Sequence, residues 1–165
     1  MKKIVSFIIV FALLFTACEG PQGPPGFDGP PGQNGVNFVG QSFERTIDFT
    51  SVNNYEQLII IPNNIEVLET DMILVYLLWD ENPDIWRLLP QTIYTSTGEE
   101  FQYNFDATFF DVNIFLDAPA GFDFNSLSSA DTLGQTFRIV VLPVDLVNGS
   151  NIDVTNMNEV MNFVN

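Results

Sequence analysis

Glycine recurs at every third residue in one short stretch of this 165-residue chain. The glycines stand at positions 20, 23, 26, 29, 32 and 35, and the triplets hold 5 of the 10 prolines. This Gly-X-Y period is the collagen signature, because only glycine fits at the axis of three packed polyproline II chains. Such a segment is extended and forms no hydrophobic core. The globular fold must therefore come from the rest of the chain.

The segment of residues 18–37 admits two interpretations. The first is a stiff spacer, which at about 3.1 Å per residue would hold a domain about 50 Å from its point of attachment. The second is a short triple helix, which would make the protein a homotrimer through residues 20–37 and give its domains avidity. Six triplets are few for a stable triple helix. We therefore expect the spacer and keep the trimer as the alternative.

A short apolar run precedes the glycine period. Lys2 and Lys3 form a basic flank, and residues 4–15 are almost entirely apolar. A membrane-spanning helix needs about 20 apolar residues, so this run is too short to span. A basic flank, a short apolar run and the small residues Thr16 and Ala17 together predict a secretory signal peptide over residues 1–17.

The only cysteine of the chain, Cys18, follows this run directly. The stretch Phe15-Thr16-Ala17-Cys18 resembles the lipobox of bacterial lipoprotein precursors, with Phe15 where leucine is usual. The resemblance implies that Cys18 becomes the first residue of the mature chain and carries the lipid. Acyl chains contribute about 0.8 kcal/mol per buried CH₂, so several chains anchor a protein stably. The alternative is an ordinary signal peptide followed by a chance cysteine.

Charge and residue usage exclude several kinds of chemistry. Cleavage before Cys18 would leave three arginines against 21 acidic residues, a formal charge of −18. The chain has no histidine, which excludes imidazole bases, histidine metal ligands and nucleophile pairs that need histidine. One cysteine allows neither an internal disulfide nor a cysteine-cluster zinc site. Such a negative charge disfavours binding to nucleic acid, which depends on cationic contacts to phosphate. Because these residue types are missing, we expect no catalysis.

Residues 38–165 have the pattern of an all-β domain. Alternation of apolar and polar residues predicts half-buried strands over residues 43–49, 101–105 and 110–116, the last two forming a hairpin. Apolar runs predict buried strands over residues 58–61 and 72–79. Two further strands are predicted over residues 86–94 and 137–144, and Pro90 indicates a bulge or an edge in the first of them. About seven strands joined by short turns predict an antiparallel β-sandwich. Residues 117–133 are expected to form a long loop.

The end of the chain has a different period. Met157, Val160, Met161 and Val164 follow the spacing of an amphipathic helix, and Asn156-x-x-Glu159 resembles a capping box. We expect a short C-terminal helix that packs on the sandwich or covers one of its edges.

Taken together, the chain resembles small lipoproteins of Bacteroidetes-type bacteria, in which a lipobox cysteine leads into a few collagen-like triplets and then a β-rich domain of unknown function. The signs are Cys18-Glu19-Gly20-Pro21, the stretches 86–92 (Trp-Arg-Leu-Leu-Pro-Gln-Thr) and 137–143 (Phe-Arg-Ile-Val-Val-Leu-Pro), and the closing Asn-Glu-Val-Met helix. The resemblance covers nearly the whole chain and implies topology and location, but no binding residues.

Two acidic turns are candidate calcium sites, because Ca²⁺ prefers carboxylate and carbonyl oxygens. Each holds three carboxylates, which are Asp80, Glu81 and Asp84 in the first turn and Glu66, Glu69 and Asp71 in the second. Neither matches the spacing of a dedicated calcium loop. We therefore expect no resident cofactor or metal and at most weak Ca²⁺ binding, with solvated turns as the simpler interpretation.

Two further candidates lie near these turns. Trp79 and Trp86 flank the first turn and would form an aromatic platform for a glycan if both pointed outward, but packing against each other or the core is the simpler interpretation. Asp131-Thr132-Leu133 matches the pattern used for O-glycosylation in the resembled bacteria, which makes Thr132 a candidate modification site.

These expectations combine into a lipid-anchored structural or interaction protein of the cell envelope, at the periplasmic face or outer surface of the outer membrane. Its partners would be membrane lipid through acylated Cys18 and an unidentified glycan or protein ligand. Two alternatives stay open. One is a carbohydrate- or calcium-dependent adhesion module, and the other is a small hydrolase with two carboxylates about 5 to 10 Å apart.

Overall fold

The computed structural model describes residues 39–165, so the predicted signal peptide, Cys18 and the glycine-periodic segment lie outside the described residues. The described chain forms eight strands in two four-stranded antiparallel sheets, which confirms the predicted sandwich and adds one strand to the number expected. The strands are β1 (Gln41–Ile47), β2 (Glu56–Ile60), β3 (Asp71–Glu81), β4 (Asp84–Leu88), β5 (Gln91–Tyr94), β6 (Glu100–Ala107), β7 (Asp111–Asp117) and β8 (Gln135–Pro143).

The two sheets differ in strand order and in what covers them. Sheet I has the order β1-β8-β3-β4, and sheet II has the order β2-β7-β6-β5. Three short helices accompany them, which are α1 (Ser129–Thr132), α2 (Val144–Ser150) and α3 (Met157–Met161). Two 3₁₀ turns, Ser51–Asn53 and Phe124–Ser126, lie in the loops. The expected long loop over residues 117–133 thus contains a 3₁₀ turn and α1.

The main core lies between the sheets and is aromatic at its centre. Alternate residues of each strand point inward, because successive side chains of a strand face opposite sides. The rings of Phe49 and Phe137 lie 6.1 Å apart in an edge-to-face arrangement, and Tyr103 of sheet II lies 5.8 Å from Phe49. All three side chains are almost fully buried. Edge-to-face packing of this kind is favourable beyond the area it buries.

A second core lies on the outer face of sheet I. Strand β3 is apolar on both faces, because Val75 and Leu77 contribute to the core between the sheets while Leu74 and Tyr76 belong to this second cluster. Met157 and Val160 of α3 are buried against it, so the predicted amphipathic helix is confirmed, although it ends at Met161. No helix within residues 39–165 is long and apolar enough to cross a membrane.

The start of α3 is capped by Asn156, although the backbone N–H of Asn156 bonds to Asp153 and not to Glu159 as in a capping box. The side chain of Asn156 accepts a hydrogen bond from the backbone N–H of Asn158 at 3.1 Å and donates one to Glu159 at 3.1 Å. Glu159 also accepts from the backbone N–H of Asp153 at 3.2 Å. These bonds satisfy N–H groups that have no partner within the helix.

Two strand predictions were wrong in detail. The run 86–94 is not one strand: it divides at Pro90 into β4 of sheet I and β5 of sheet II, since proline cannot donate a ladder hydrogen bond. The run 58–61 is not a fully buried strand, because β2 lies at the edge of sheet II. Ile59 is buried there, whereas Leu58 and Ile60 are 54% and 61% exposed.

Candidate functional site

The two acidic turns lie in solvent-accessible connections. Asp80 lies in the β3–β4 hairpin, where its side chain accepts a hydrogen bond from the backbone N–H of Asn82 at 3.0 Å. Asp71 lies at the start of β3 and accepts from the backbone N–H of Leu68 at 2.9 Å. Between residues 39 and 165, no three acidic, histidine or cysteine side chains are grouped closely enough to hold a metal ion. Weak calcium binding at either turn stays a prediction.

The two tryptophans do not share a surface. Trp86 is paired with Leu78 and packs with the second core, where the guanidinium of Arg138 lies 4.3 Å above its ring. Trp79 stands at a register shift in β3, and its ring is covered by Arg87 at 3.6 Å. Arg87 is paired with Leu77, whose side chain belongs to the core between the sheets, so the two tryptophans face opposite sides of sheet I. This geometry gives no aromatic platform of two rings.

Thr132 lies at the end of α1 rather than in an open loop. Its side chain is only 8% exposed, and its hydroxyl donates a hydrogen bond to the carbonyl of Ser128 at 2.9 Å. The carbonyl of Thr132 accepts from the backbone N–H of Phe49 at 2.7 Å, which ties α1 to the core. O-glycosylation of Thr132 stays a prediction, and it would require modification before this segment packs.

Two buried tyrosines, which the sequence patterns did not single out, fasten loops to the sheets. The hydroxyl of Tyr76 donates to the carbonyl of Val154 at 2.6 Å, and that of Tyr103 donates to the carbonyl of Asp131 at 2.5 Å. Burial raises the pKa of both phenols above its usual range, and the nearby carboxylates of Asp153 and Asp131 raise it further. A tyrosine at an inward position of a predicted strand indicates such a bond, because a buried hydroxyl needs a hydrogen-bond partner.

These pKa shifts predict a loss of stability at alkaline pH. The phenols ionise near pH 10 in the unfolded chain but only at higher pH in the folded one, so their contribution is complete below about pH 10 and falls above it. We expect the free energy of unfolding to decrease above pH 10 by up to about 1.4 kcal/mol per pH unit for each tyrosine. Urea titrations at several pH values would measure this slope.

Matched variants assign that slope to the buried phenols. Tyr76→Phe and Tyr103→Phe should each reduce the slope, at a cost of about 1 kcal/mol at neutral pH for the lost hydrogen bond. Tyr94→Phe is the control, because Tyr94 is 71% exposed. An alkaline slope that all three variants leave unchanged would show that other groups cause it.

The outer face of sheet II has no helical layer in the described chain, unlike that of sheet I. The inward side chains of its strands form the core, so the alternate residues Glu56, Leu58 and Ile60 of β2 face outward, beside Phe115, Asn113 and Asp111 of β7. Exposed apolar side chains and carboxylates are thus mixed on the outer face of sheet II.

Charge is divided unevenly between the sheets. The arginines of the described chain, Arg45, Arg87 and Arg138, lie in β1, β4 and β8, all strands of sheet I. None of the four strands of sheet II contains lysine or arginine. Its outward positions instead carry five carboxylates, which are Glu56, Glu100, Asp106, Asp111 and Asp117. Sheet II therefore presents negative charge with no cation of its own to balance it.

A groove of about 680 Å³ runs along the side of the sandwich between β1 and β2, which are edge strands of their respective sheets. Arg45, Thr46 and Ile47 line one side, and residues 57–60 line the other. A smaller depression of about 350 Å³ lies near the start of β1, and Glu66, Asp71 and Asp145 are among the residues that line it. A hydrolase based on carboxylates would have to use a depression of this kind.

The arrangement as a whole suits binding through an exposed sheet. Sheet I packs against an apolar cluster on each face, whereas sheet II offers a bare face and an open edge. Comparison with protein families, curated proteins and solved structures gives no match for this chain.

Proposed function

We propose that this protein is a lipid-anchored structural or interaction protein of the bacterial cell envelope, which displays its β-sandwich on a short collagen-like spacer. The observation that carries the proposal is the position of Cys18, the only cysteine, directly after a short apolar run and before the first Gly-X-Y triplet. The sandwich supports an interaction role because one of its sheets is bare on the outside and negatively charged. Membrane lipid and a ligand bound by this sheet are the proposed partners.

Replacing Cys18 by serine should release the protein from the membrane. The wild-type protein expressed in a Gram-negative bacterium is expected to take up radiolabelled palmitate and to fractionate with membranes, because acylated cysteine is the proposed anchor. Cys18→Ser should abolish the label. Ser42→Ala, which removes one hydroxyl from β1, is the control and should leave the label unchanged. Labelling that persists in Cys18→Ser would contradict the anchor.

The spacer interpretation predicts a single chain in solution. Sedimentation equilibrium of Cys18→Ser, which lacks the proposed lipid, is expected to give the mass of one copy, because six triplets are few for a stable triple helix. Gly26→Ala should then leave the mass unchanged. A mass of three chains that falls in Gly26→Ala would favour the trimer instead.

The adhesion and hydrolase alternatives receive less support from the geometry. The separated tryptophans do not form the two-ring platform that would favour carbohydrate binding, and calcium-dependent adhesion stays a prediction. A glycan array probed with and without calcium would test that alternative independently of the anchor.

A further inference from the structure

The open edge of β2 has backbone hydrogen-bonding groups that no neighbouring strand uses. The N–H of Ile61 donates to Phe110 at 2.9 Å and the N–H of Leu116 donates to Tyr55 at 3.0 Å, so odd-numbered residues of this segment bond to β7. Backbone groups alternate in direction along a strand of an antiparallel pair. The N–H and C=O groups of Glu56, Leu58 and Ile60 therefore point away from β7, into the groove beside β1.

Each of the other edge strands contains an arginine or directly follows a proline, whereas β2 does neither. Arg45 of β1 donates to the edge carbonyl of Glu44 at 2.7 Å, and the chain end pairs with Gly40 at the start of the same edge. Pro83 directly precedes β4 and Pro90 directly precedes β5. Charged side chains and prolines are the usual means of blocking an edge. Strand β2 has the carboxylate of Glu56 at its start but no cation, and its Gln57 side chain donates to the carbonyl of Leu58 at 3.2 Å.

The exposed apolar side chains of β2 are typical of a strand that is paired on both sides. Leu58 and Ile60 are more than half exposed, although β-forming apolar residues at these positions would be covered by side chains of an adjoining strand. Glu56 and Asp111 lie on the same outer face, and sheet II has no cation to balance them.

We propose that the β2 edge binds an extended segment of another protein as an added antiparallel strand, and that this segment is basic and β-forming. Its backbone would bond to Glu56, Leu58 and Ile60, its apolar side chains would cover Leu58 and Ile60, and its lysine or arginine side chains would face Glu56 and Asp111. A second copy of this chain is the wrong partner, because two copies would bring like charges together. This inference rests on the proposed interaction role but not on the lipid anchor.

A synthetic peptide tests the proposal directly. The probe is a short peptide of alternating valine and threonine with lysine at both ends, titrated into the protein purified in mild detergent after expression of the full chain. We expect saturable binding at one site by calorimetry, with amide chemical shifts changed at Glu56, Leu58 and Ile60. The same peptide with glutamate ends, or with a central proline, should bind at least about tenfold more weakly, because charge or backbone bonding is lost.

Two lysine substitutions separate the edge from general charge effects. Leu58→Lys places a charge at the β2 edge, and Tyr94→Lys places the same charge on β5, the opposite edge strand of sheet II. Leu58→Lys should weaken binding by at least about tenfold, whereas Tyr94→Lys should change it by less than about twofold. Both side chains are exposed, so neither variant should unfold the domain.

Other outcomes overturn the proposal. Absence of peptide binding, equal weakening by both lysine variants, or shift changes away from β2 would each contradict strand addition at this edge. If the protein forms a dimer and Leu58→Lys abolishes it, a second copy of the chain occupies the edge and the proposal is wrong. Because palmitate labelling of Cys18 is measured separately, a failure of peptide binding leaves the anchoring proposal intact.

Discussion

Replacement of Phe137 by alanine is expected to lower the free energy of unfolding by about 3 to 5 kcal/mol. Phe137 is fully buried in β8, and its ring lies 6.1 Å from the rings of both Phe49 and Tyr103. These contacts join sheet I to sheet II at the centre of the core. Truncation leaves a cavity that the paired strands on either side are too rigid to fill, so the cost exceeds that of the lost apolar surface alone.

Urea unfolding measures this effect, and Phe110→Ala is the matched control. Phe110 carries the same side chain at the β6–β7 turn but is 76% exposed, so its loss should change stability by less than about 0.5 kcal/mol. A similar loss in both variants would contradict the position assigned to the core.

Replacement of Val160 by aspartate is expected to cost at least about 3 kcal/mol and to detach α3 from sheet I. Val160 is fully buried in the second core, among apolar side chains that include Leu74, Val140 and Leu142. A carboxylate there would be removed from water among apolar side chains, so the helix must move away from the sheet to expose it. Sheet I would then have a bare outer face, as sheet II has.

Asn158→Asp is the matched control for this second effect. It adds the same charge to α3 at an exposed position in the first turn, where a negative charge is slightly favourable to a helix. Urea unfolding should show a loss only for Val160→Asp, and amide hydrogen exchange should accelerate in α3 and β3. Unchanged exchange in Val160→Asp would show that the helix layer does not depend on this contact.

The strands with strict alternation were the easiest part of the fold to predict. The residues 101–105 and 110–116 repeat with period two, and they form β6 and β7 paired as a hairpin. Likewise, the spacing of Met157 and Val160 placed α3 correctly. In these segments one face is buried and the other is solvated, so the local pattern records the environment of each residue.

The errors arose where the pattern was not alternating or where pairing decided the outcome. An apolar run such as 58–61 predicts burial of both faces, but β2 is an edge strand whose outer face the described chain leaves bare. Trp86 is paired with Leu78, the neighbour of Trp79 in β3, so the two rings lie on opposite faces, and no local signal reports this pairing.

The candidate interaction site could not be predicted from the sequence, because it depends on topology. The groove forms only because β1 and β2 are edge strands on the same side of two different sheets. The uneven distribution of charge becomes visible only when each strand is assigned to its sheet. That assignment places Arg45, Arg87 and Arg138 together in sheet I. Composition showed the excess of acid but not its distribution.

Intact-mass spectrometry of the protein extracted from membranes tests the proposed anchor most directly. The expected mass is that of residues 18–165 plus several acyl groups, and fragmentation should place those groups on Cys18. A chain that retains residues 1–17, or one with a free Cys18 thiol, would contradict the proposal that this protein is displayed on a lipid anchor.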